Sequence, residues 1–265
     1  MSANLVAATV RSGLYTRIIG KRIRFFQELT STMDLAREYA ESKIDEGTVV
    51  IAESQTSSRG RLGRTWVSKP GNLYLSVVFY PNQITLPLIG IVAALAVKKS
   101  IFKITGTSPD IKWPNDILIH GRKVSGILVE SVMMADQIKY AIVGIGTNIA
   151  LNLEELGELG SVATSLNLAL GYEVSRENLF RTLLQELDSL YFDIKKGISP
   201  IPEWRESLST LSKKVSVAHG GSKIEGIAED VDNLGNLIVK TDSGNLVTLT
   251  SGDVTLEKDD VAPGL

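Results

Sequence analysis

The chain has no cysteine and only two histidines, His120 and His219, in 265 residues. Without cysteine there are no disulfides, no thiolate metal ligands and no cysteine nucleophile. With two histidines a histidine-rich metal site is not expected, and no metal-ligand residues are assigned. Neither histidine lies near a G-x-S-x-G elbow, so a Ser–His–Asp triad has nothing to draw on. Long apolar runs are missing too. The longest, Ile89–Val97, is broken by Lys98 and Lys99 and falls short of the ~20 residues a membrane span needs. Arg11, Arg17, Lys21 and Arg22 near the N-terminus are not followed by an apolar stretch of signal length. An excess of one charge is also absent: 28 basic side chains face 30 acidic ones, for a net charge of −2. A whole-protein basic field for nucleic acid is therefore excluded, and any anion site must be local. There is no G-x-x-x-x-G-K-[ST] phosphate loop. A soluble cytoplasmic protein without a membrane partner is expected.

Apolar residues make up 43% of the chain, enough for a real core in one large domain or one domain plus a small one. Residues 14–27 alternate loosely and suggest a strand pair turning at Gly20 and Lys21. Ser31 and Asp34 have capping-box spacing, and Leu35, Ala36, Tyr39 and Ala40 form a stripe. This predicts a helix from near Thr32 to about Lys43. Strands are expected at Gly47–Glu53 and Asn72–Tyr80, a buried helix at Leu86–Thr105, and a short strand ending before Pro114. A hairpin turning at His120 and Gly121 follows, then a strand at Lys139–Ala150. Helices are expected near Ser161–Leu170 and Glu177–Lys195. This order reads as α+β, a mixed β-sheet with helices packed on a face. From about Leu211 the helical period vanishes. About five short β runs, split by HGG, NLGN and DSGN turns, suggest a small SH3-like β-barrel. The expected division is 1–210, with a short N-terminal extension 1–22, and 211–265.

Four stretches could carry chemistry. SSRGRLGRTW (Ser57–Trp66) holds three arginines, two glycines and no acid. Arginine forks match phosphate and carboxylate oxygens, and Gly60 and Gly63 allow close backbone approach. Alone, the stretch also reads as a solvated loop. In KWPND, Lys112 and Asp116 flank a proline turn and Lys123 follows the hairpin turn. These suit a phosphoryl group, or the turn ends a strand and no more. In GIGTN (Gly144–Asn148), alternating glycines on a buried strand imply close approach by a ligand or by a packed helix. Ser31 and Thr32 open a helix, an anion site in its own right or a plain cap.

Taken in order, these stretches resemble the biotin protein ligases. G-R-G-R-x-G-R-x-W is similar to Ser58–Trp66, K-W-P-N-D matches Lys112–Asp116, and G-R-K-[LVI]-x-G-[IL]-L-x-E matches Gly121–Glu130. G-[IL]-G-x-N matches Gly144–Asn148, and S-T-x-[DN] matches Ser31–Asp34. The resemblance implies a class II aminoacyl-tRNA-synthetase-like biotin/lipoate ligase domain that joins biotin to a lysine of a biotin carboxyl carrier protein. ATP and biotin would be substrates and Mg2+ would accompany ATP. It implies that Ser31, Thr32, Met33 and Gln55 hold the biotin ring, while Gly126, Leu128, Gly144 and Gly146 line its slot. Arg59, Gly60 and Arg61 would close over the acyl-adenylate. Lys123 would meet the biotin carboxylate and phosphate. Trp66, Asn115 and Asn148 would contact the nucleotide. Lys112 and Asp116 would face the reacting centre, so that Lys123, Lys112, Asp116, Arg59 and Arg61 form the catalytic set. The chain departs from the pattern at Ser58, where the family carries glycine. About 25 residues precede the first matched strand, too few for the helix-turn-helix of repressor members, so no nucleic-acid partner is expected. A homodimer is.

Overall fold

Val-, Ile- and Tyr-rich runs assemble into seven strands: β1 (Ile23–Leu29), β2 (Val49–Gln55), β3 (Leu73–Phe79), β4 (Asp110–Lys112), β5 (Asp116–Ile119), β6 (Arg122–Met134) and β7 (Gln137–Thr147). The computed structural model describes residues 13–151, 160–219 and 222–256. Most of the expected extension, residues 220 and 221 of the HGG turn and the last nine residues lie outside these. The sheet order is β1-β2-β3-β7-β6-β5-β4. Only β1 and β2 run parallel, and such a pair needs a crossover. Helix α1 (Thr32–Glu41) supplies it.

Helices α2 (Ile89–Thr105), α3 (Leu166–Leu170), α4 (Arg176–Lys195) and α5 (Ile201–Ser207) complete the catalytic half. The sheet is covered on both faces, not on one as the sequence suggested. Val49, Ile51 and Val77 join the core under α2 and α4. Their neighbours Val50 and Val78, with Ile142, face Met33, Ala36 and Ala40 of α1. Strand side chains alternate across a sheet, so the two clusters lie on opposite faces. Double coverage explains why every residue of β3 is buried. Helix α2 is apolar nearly all round because it is packed between the sheet and α4. Lys98 on that helix runs its stem outward and donates to Pro109 O at 2.6 Å.

The expected hairpin at Gly20 does not form. Arg17, Ile18 and Ile19 donate their backbone N–H groups to the Asp188 carboxylate at 2.7–2.8 Å. That carboxylate caps the segment, and strand β1 begins only at Ile23. The capping box is half made: Ser31 Oγ accepts from Met33 N at 3.2 Å, but Asp34 turns to Arg59. The hairpin between β5 and β6 turns where expected. His120 (φ 49°) and Gly121 (φ 73°) both take the left-handed backbone of a tight hairpin turn. Helix α5 was not foreseen, because seven residues show too little periodicity.

The C-terminal strands β8 (Lys214–His219), β9 (Ser222–Val231), β10 (Leu237–Lys240), β11 (Leu246–Leu249) and β12 (Asp253–Leu256) form an antiparallel sheet in the order β11-β10-β9-β8-β12. It shares one core with the larger sheet. Trp113 is the pin: its backbone N–H donates to Thr210 Oγ1 and its Nε1 to Gly235 O, both at 2.9 Å. No helix among the described residues is long and apolar enough to cross a membrane.

Candidate active site

On the α1 face of the sheet, the side chains stop where the glycines begin. Ile142 packs under α1, but the next two residues on that face of β7 are Gly144 and Gly146, paired with Leu128 and Gly126 of β6. The missing side chains leave a trough. Their absence is required, because a methyl carbon on Gly144 would stand 2.6 Å from Met33 Sδ. One on Gly146 would stand 2.7 Å from the Trp66 ring. The trough widens into a pocket of about 880 Å³, the size of a drug-scale ligand site.

The α1 end of the pocket is polar. Thr32 donates to Gln55 Oε1 through both its N–H (2.8 Å) and its hydroxyl (3.1 Å). Ser76 Oγ donates to Thr32 Oγ1 at 2.8 Å. Gln55 Nε2 donates to Ser68 Oγ at 3.0 Å. The opposite end is charged. Cross-strand pairing puts Lys112, Asp116, Gly126, Gly146 and Tyr74 in one row across the sheet. Paired residues share a face, so Lys112 and Asp116 point to the same side as the glycine floor. Lys123 Nζ lies 2.6 Å from Asp116 Oδ1 and 5.2 Å from the Trp66 ring centre. The Trp66 indole nitrogen is buried and has no hydrogen-bond partner among the described residues.

The arginine loop arches over this pocket. Its tip is a single 3-10 turn, Arg61–Gly63, where Leu62 is 73% exposed with φ at 56°. Its charges are anchored individually. Arg59 meets Glu130 at 3.0 Å and Asp34 at 2.8 Å. Both acids hold its guanidinium well above its ordinary pKa. Arg61 donates to Asn115 Oδ1 (3.0 Å) and to Gly252 O (3.2 Å), and burial lowers its pKa. Arg64 pairs with Asp253. The loop is thus tied to α1 and β6 at its root and to the C-terminal sheet at its tip.

Every residue expected from the sequence lines this pocket: Ser31, Thr32, Met33, Gln55, Arg59, Gly60, Arg61, Trp66, Lys112, Asn115, Asp116, Lys123, Gly126, Leu128, Gly144, Gly146 and Asn148. Asn115 and Asn148 also brace the backbone around the pocket. Asn115 Nδ2 donates to Ile127 O at 2.7 Å, and Asn148 Nδ2 to Thr164 O at 3.1 Å. Sequence reasoning missed Asp253, Val254 and Thr255, which reach the pocket from the C-terminal sheet. No motif marks them. It also gave no role to Glu130, although that residue closes a quoted motif.

Burial pushes the Glu130 carboxyl up, but Arg59 and Arg37 together outweigh that and hold it below its usual range. A depressed carboxylate stabilises the fold above its unfolded pKa, and the gain is lost as pH falls through the folded value. The melting temperature of the wild type should therefore exceed that of Glu130→Gln at about pH 7. The gap should close as pH falls below the usual carboxylate range. A gap independent of pH would remove this pairing from the loop's anchorage.

Comparison with known proteins agrees with the sequence reading. The biotin/lipoate A/B protein ligase family matches residues 25–148, and the biotin protein ligase C terminal domain matches residues 210–256. The bifunctional ligase/repressor BirA of Bacillus subtilis is 33% identical over 259 residues, covering 95% of this chain and 79% of that protein. The biotin--[acetyl-CoA-carboxylase] ligase of Mycobacterium tuberculosis is 33% identical over 230 residues, covering 83% of this chain and 82% of its own. Among solved structures, the biotin protein ligase from Aquifex aeolicus in complex with biotin and ATP superposes with a TM-score of 0.75. It is 28% identical, covering 90% of this chain and 99% of that one.

Proposed function

This chain belongs to the biotin protein ligases, ATP-dependent enzymes that ligate biotin, and from that premise we propose how its pocket divides the work. The observation that carries the reading is the glycine-floored trough, closed by hydrogen-bonding groups at one end and by cations at the other. Biotin's rings would enter the trough with the ureido group at Ser31, Thr32 and Gln55 and the valerate chain along Gly126 and Gly146 beside Leu128, the Trp66 ring that lies against those two glycines shifting to admit it. Its carboxylate then reaches Lys123 and Lys112. A carboxylate oxygen attacks the α-phosphorus of ATP, the bond to the bridging oxygen breaks, and pyrophosphate leaves. The product is biotinyl-5′-AMP. In the second step the amine of a carrier-protein lysine attacks the acyl carbon, loses a proton, and AMP leaves.

Two anions meet in the first step, so fixed cations must offset their repulsion as charge builds. Lys123 and Lys112 supply that charge. Asp116 orients Lys123 through its ion pair. Trp66 offers the nucleotide an aromatic face, and Asn115 and Asn148 shape the wall beside it. Magnesium would arrive with the triphosphate. A nucleotide-bound magnesium needs only one or two protein carboxylates, and Asp116 faces the right way to be one. There it would neutralise phosphate charge.

The arginine loop is the lid. A mixed anhydride is hydrolysed by water, so the lid must shut while the adenylate waits. Arg59 roots the lid, and Gly60 and Arg61 cover the adenylate. Arg61→Ala loses the bonds to Asn115 and Gly252 and should release pre-formed biotinyl-AMP about tenfold faster. Release of labelled adenylate from the purified variant measures this, and an unchanged rate would count against the lid.

We propose the same division of the chain as the sequence suggested, 1–210 catalytic and 211–265 a small SH3-like barrel, supported by five short antiparallel strands. We further propose a biotin carboxyl carrier domain as acceptor, a cytoplasmic location, and a homodimer joined through the catalytic sheet, which light scattering would measure. Ligand choice is tested by thermal shift. Biotin should raise the melting temperature and lipoate should not; a larger shift with lipoate would reverse the assignment.

A further inference from the structure

Ser58 stands where the family pattern has glycine, and its hydroxyl is not idle. It is buried, as is Ser68. Ser58 Oγ donates to Trp66 O at 2.5 Å, across the neck of the lid. The backbone makes a parallel clamp, Trp66 N to Ser58 O at 3.2 Å. Glycine would lose the first and keep the backbone bonds across the loop, which also include Gly60 N to Arg64 O at 2.6 Å and Gln55 N to Ser68 O at 3.3 Å. Ser58 Oγ also lies 2.7 Å from Ser68 Oγ. Its own hydrogen is committed to the Trp66 carbonyl, so Ser68 donates and Ser58 accepts.

The direction of the remaining bonds follows. Gln55 Nε2 donates to Ser68 Oγ at 3.0 Å. Thr32 N–H can only donate, so Gln55 must present its oxygen to Thr32, at 2.8 Å. Ser76 Oγ donates to Thr32 Oγ1, which donates on to Gln55. One directed chain therefore runs from β3 through the start of α1 to the lid neck: Ser76, Thr32, Gln55, Ser68, Ser58, Trp66. The Thr32 N–H fixes which way the Gln55 amide faces, and Ser68 Oγ, held by Ser58, supplies the acceptor for its Nε2.

We propose that Ser58 is a positioning residue of this chain: its hydroxyl clamps the lid neck and, by accepting from Ser68, holds in place the Ser68 oxygen that accepts from Gln55 Nε2 at the ring-binding end of the pocket. This rests on the biotin-ligase reading of the pocket. The consequence is specific. Ring binding and lid closure share one hydrogen-bond chain, so loss of the Ser58 hydroxyl weakens both, and neither effect passes through the triphosphate. Loss of the Ser68 hydroxyl breaks the chain but spares the neck clamp.

The test uses the full chain as wild type, Ser58→Ala, Ser58→Gly and Ser68→Ala. Biotin affinity is measured by calorimetry, KM for ATP by steady-state adenylation, and release of pre-formed labelled biotinyl-AMP by filtration. Both Ser58 variants should bind biotin about fivefold more weakly and release the adenylate about fivefold faster, with KM for ATP changed by less than either because Lys112 and Lys123 keep their places. Ser68→Ala should share the loss of biotin affinity and keep the wild-type release rate. Wild-type biotin affinity in Ser58→Ala or in Ser68→Ala would overturn the proposal. So would an effect in Ser58→Gly that Ser58→Ala lacks, because backbone freedom and not the hydroxyl would then be the cause. A wild type that makes no biotinyl-AMP would instead sink the functional reading beneath it.

Discussion

Lys123→Ala is expected to lower biotinyl-AMP formation about 10³-fold while leaving the fold intact. The side chain sits at the charged end of the trough, 2.6 Å from Asp116. Two effects add when it is removed. The developing charge between carboxylate and phosphate loses its nearest fixed cation, and water in a closing site does not replace it. Asp116 is also left as an unpaired carboxylate facing a triphosphate, and that repulsion works against binding. Adding Asp116→Asn should not restore the activity, because Asp116 is also the carboxylate that faces the pocket where magnesium would arrive with the triphosphate. Stability should change little, since the Lys123 side chain is part-exposed and its contact with Trp66 is worth about 0.5–1 kcal/mol. Single-turnover adenylation with a parallel melt checks both statements. Full activity in Lys123→Ala would show that the cation acts elsewhere.

Gly146→Val is expected to weaken biotin binding about 100-fold. The trough exists because β7 presents no side chain at Gly144 and Gly146. At Gly146 the first added carbon already meets the rigid Trp66 ring at 2.7 Å. The indole must swing away or the strand must shift, and the two further methyls of valine then stand in the slot. Gly144 is a useful contrast. There the obstacle is Met33 Sδ at 2.6 Å, part of a flexible side chain that can turn aside. Gly144→Ala should therefore cost less affinity than Gly146→Ala. Calorimetry with biotin ranks them, and equal losses would mean that trough volume matters and the Trp66 contact does not.

How much of this was legible beforehand depends on what each residue signals locally. The helix at Thr32, the hairpin turn at His120 and Gly121, and the strands at Val49–Gln55 and Leu73–Phe79 follow from periodicity and turn chemistry. The residues around the pocket were legible because five motifs keep their order along the chain. What failed was long-range. The Gly20 hairpin looked sound by alternation, but a carboxylate 169 or more residues away, Asp188, takes the backbone donors of Arg17, Ile18 and Ile19. Asp34 had the spacing of a capping partner until Arg59 claimed it. Trp113 was quoted as part of a motif, yet its work is to pin the C-terminal sheet. Asp253 and its neighbours reach the pocket only because that sheet folds back. Such contacts join residues whose local sequence carries no mark of the partner.

The central claim is that this pocket joins biotin to AMP. The direct measurement is incubation of the purified protein with biotin and [α-³²P]ATP, followed by separation of the labelled products. The account expects a biotin-dependent labelled biotinyl-AMP. On addition of a carrier domain with its acceptor lysine, that label should pass to AMP as biotin moves to the carrier. No biotin-dependent labelled product, or an adenylate formed with lipoate in place of biotin, would contradict it.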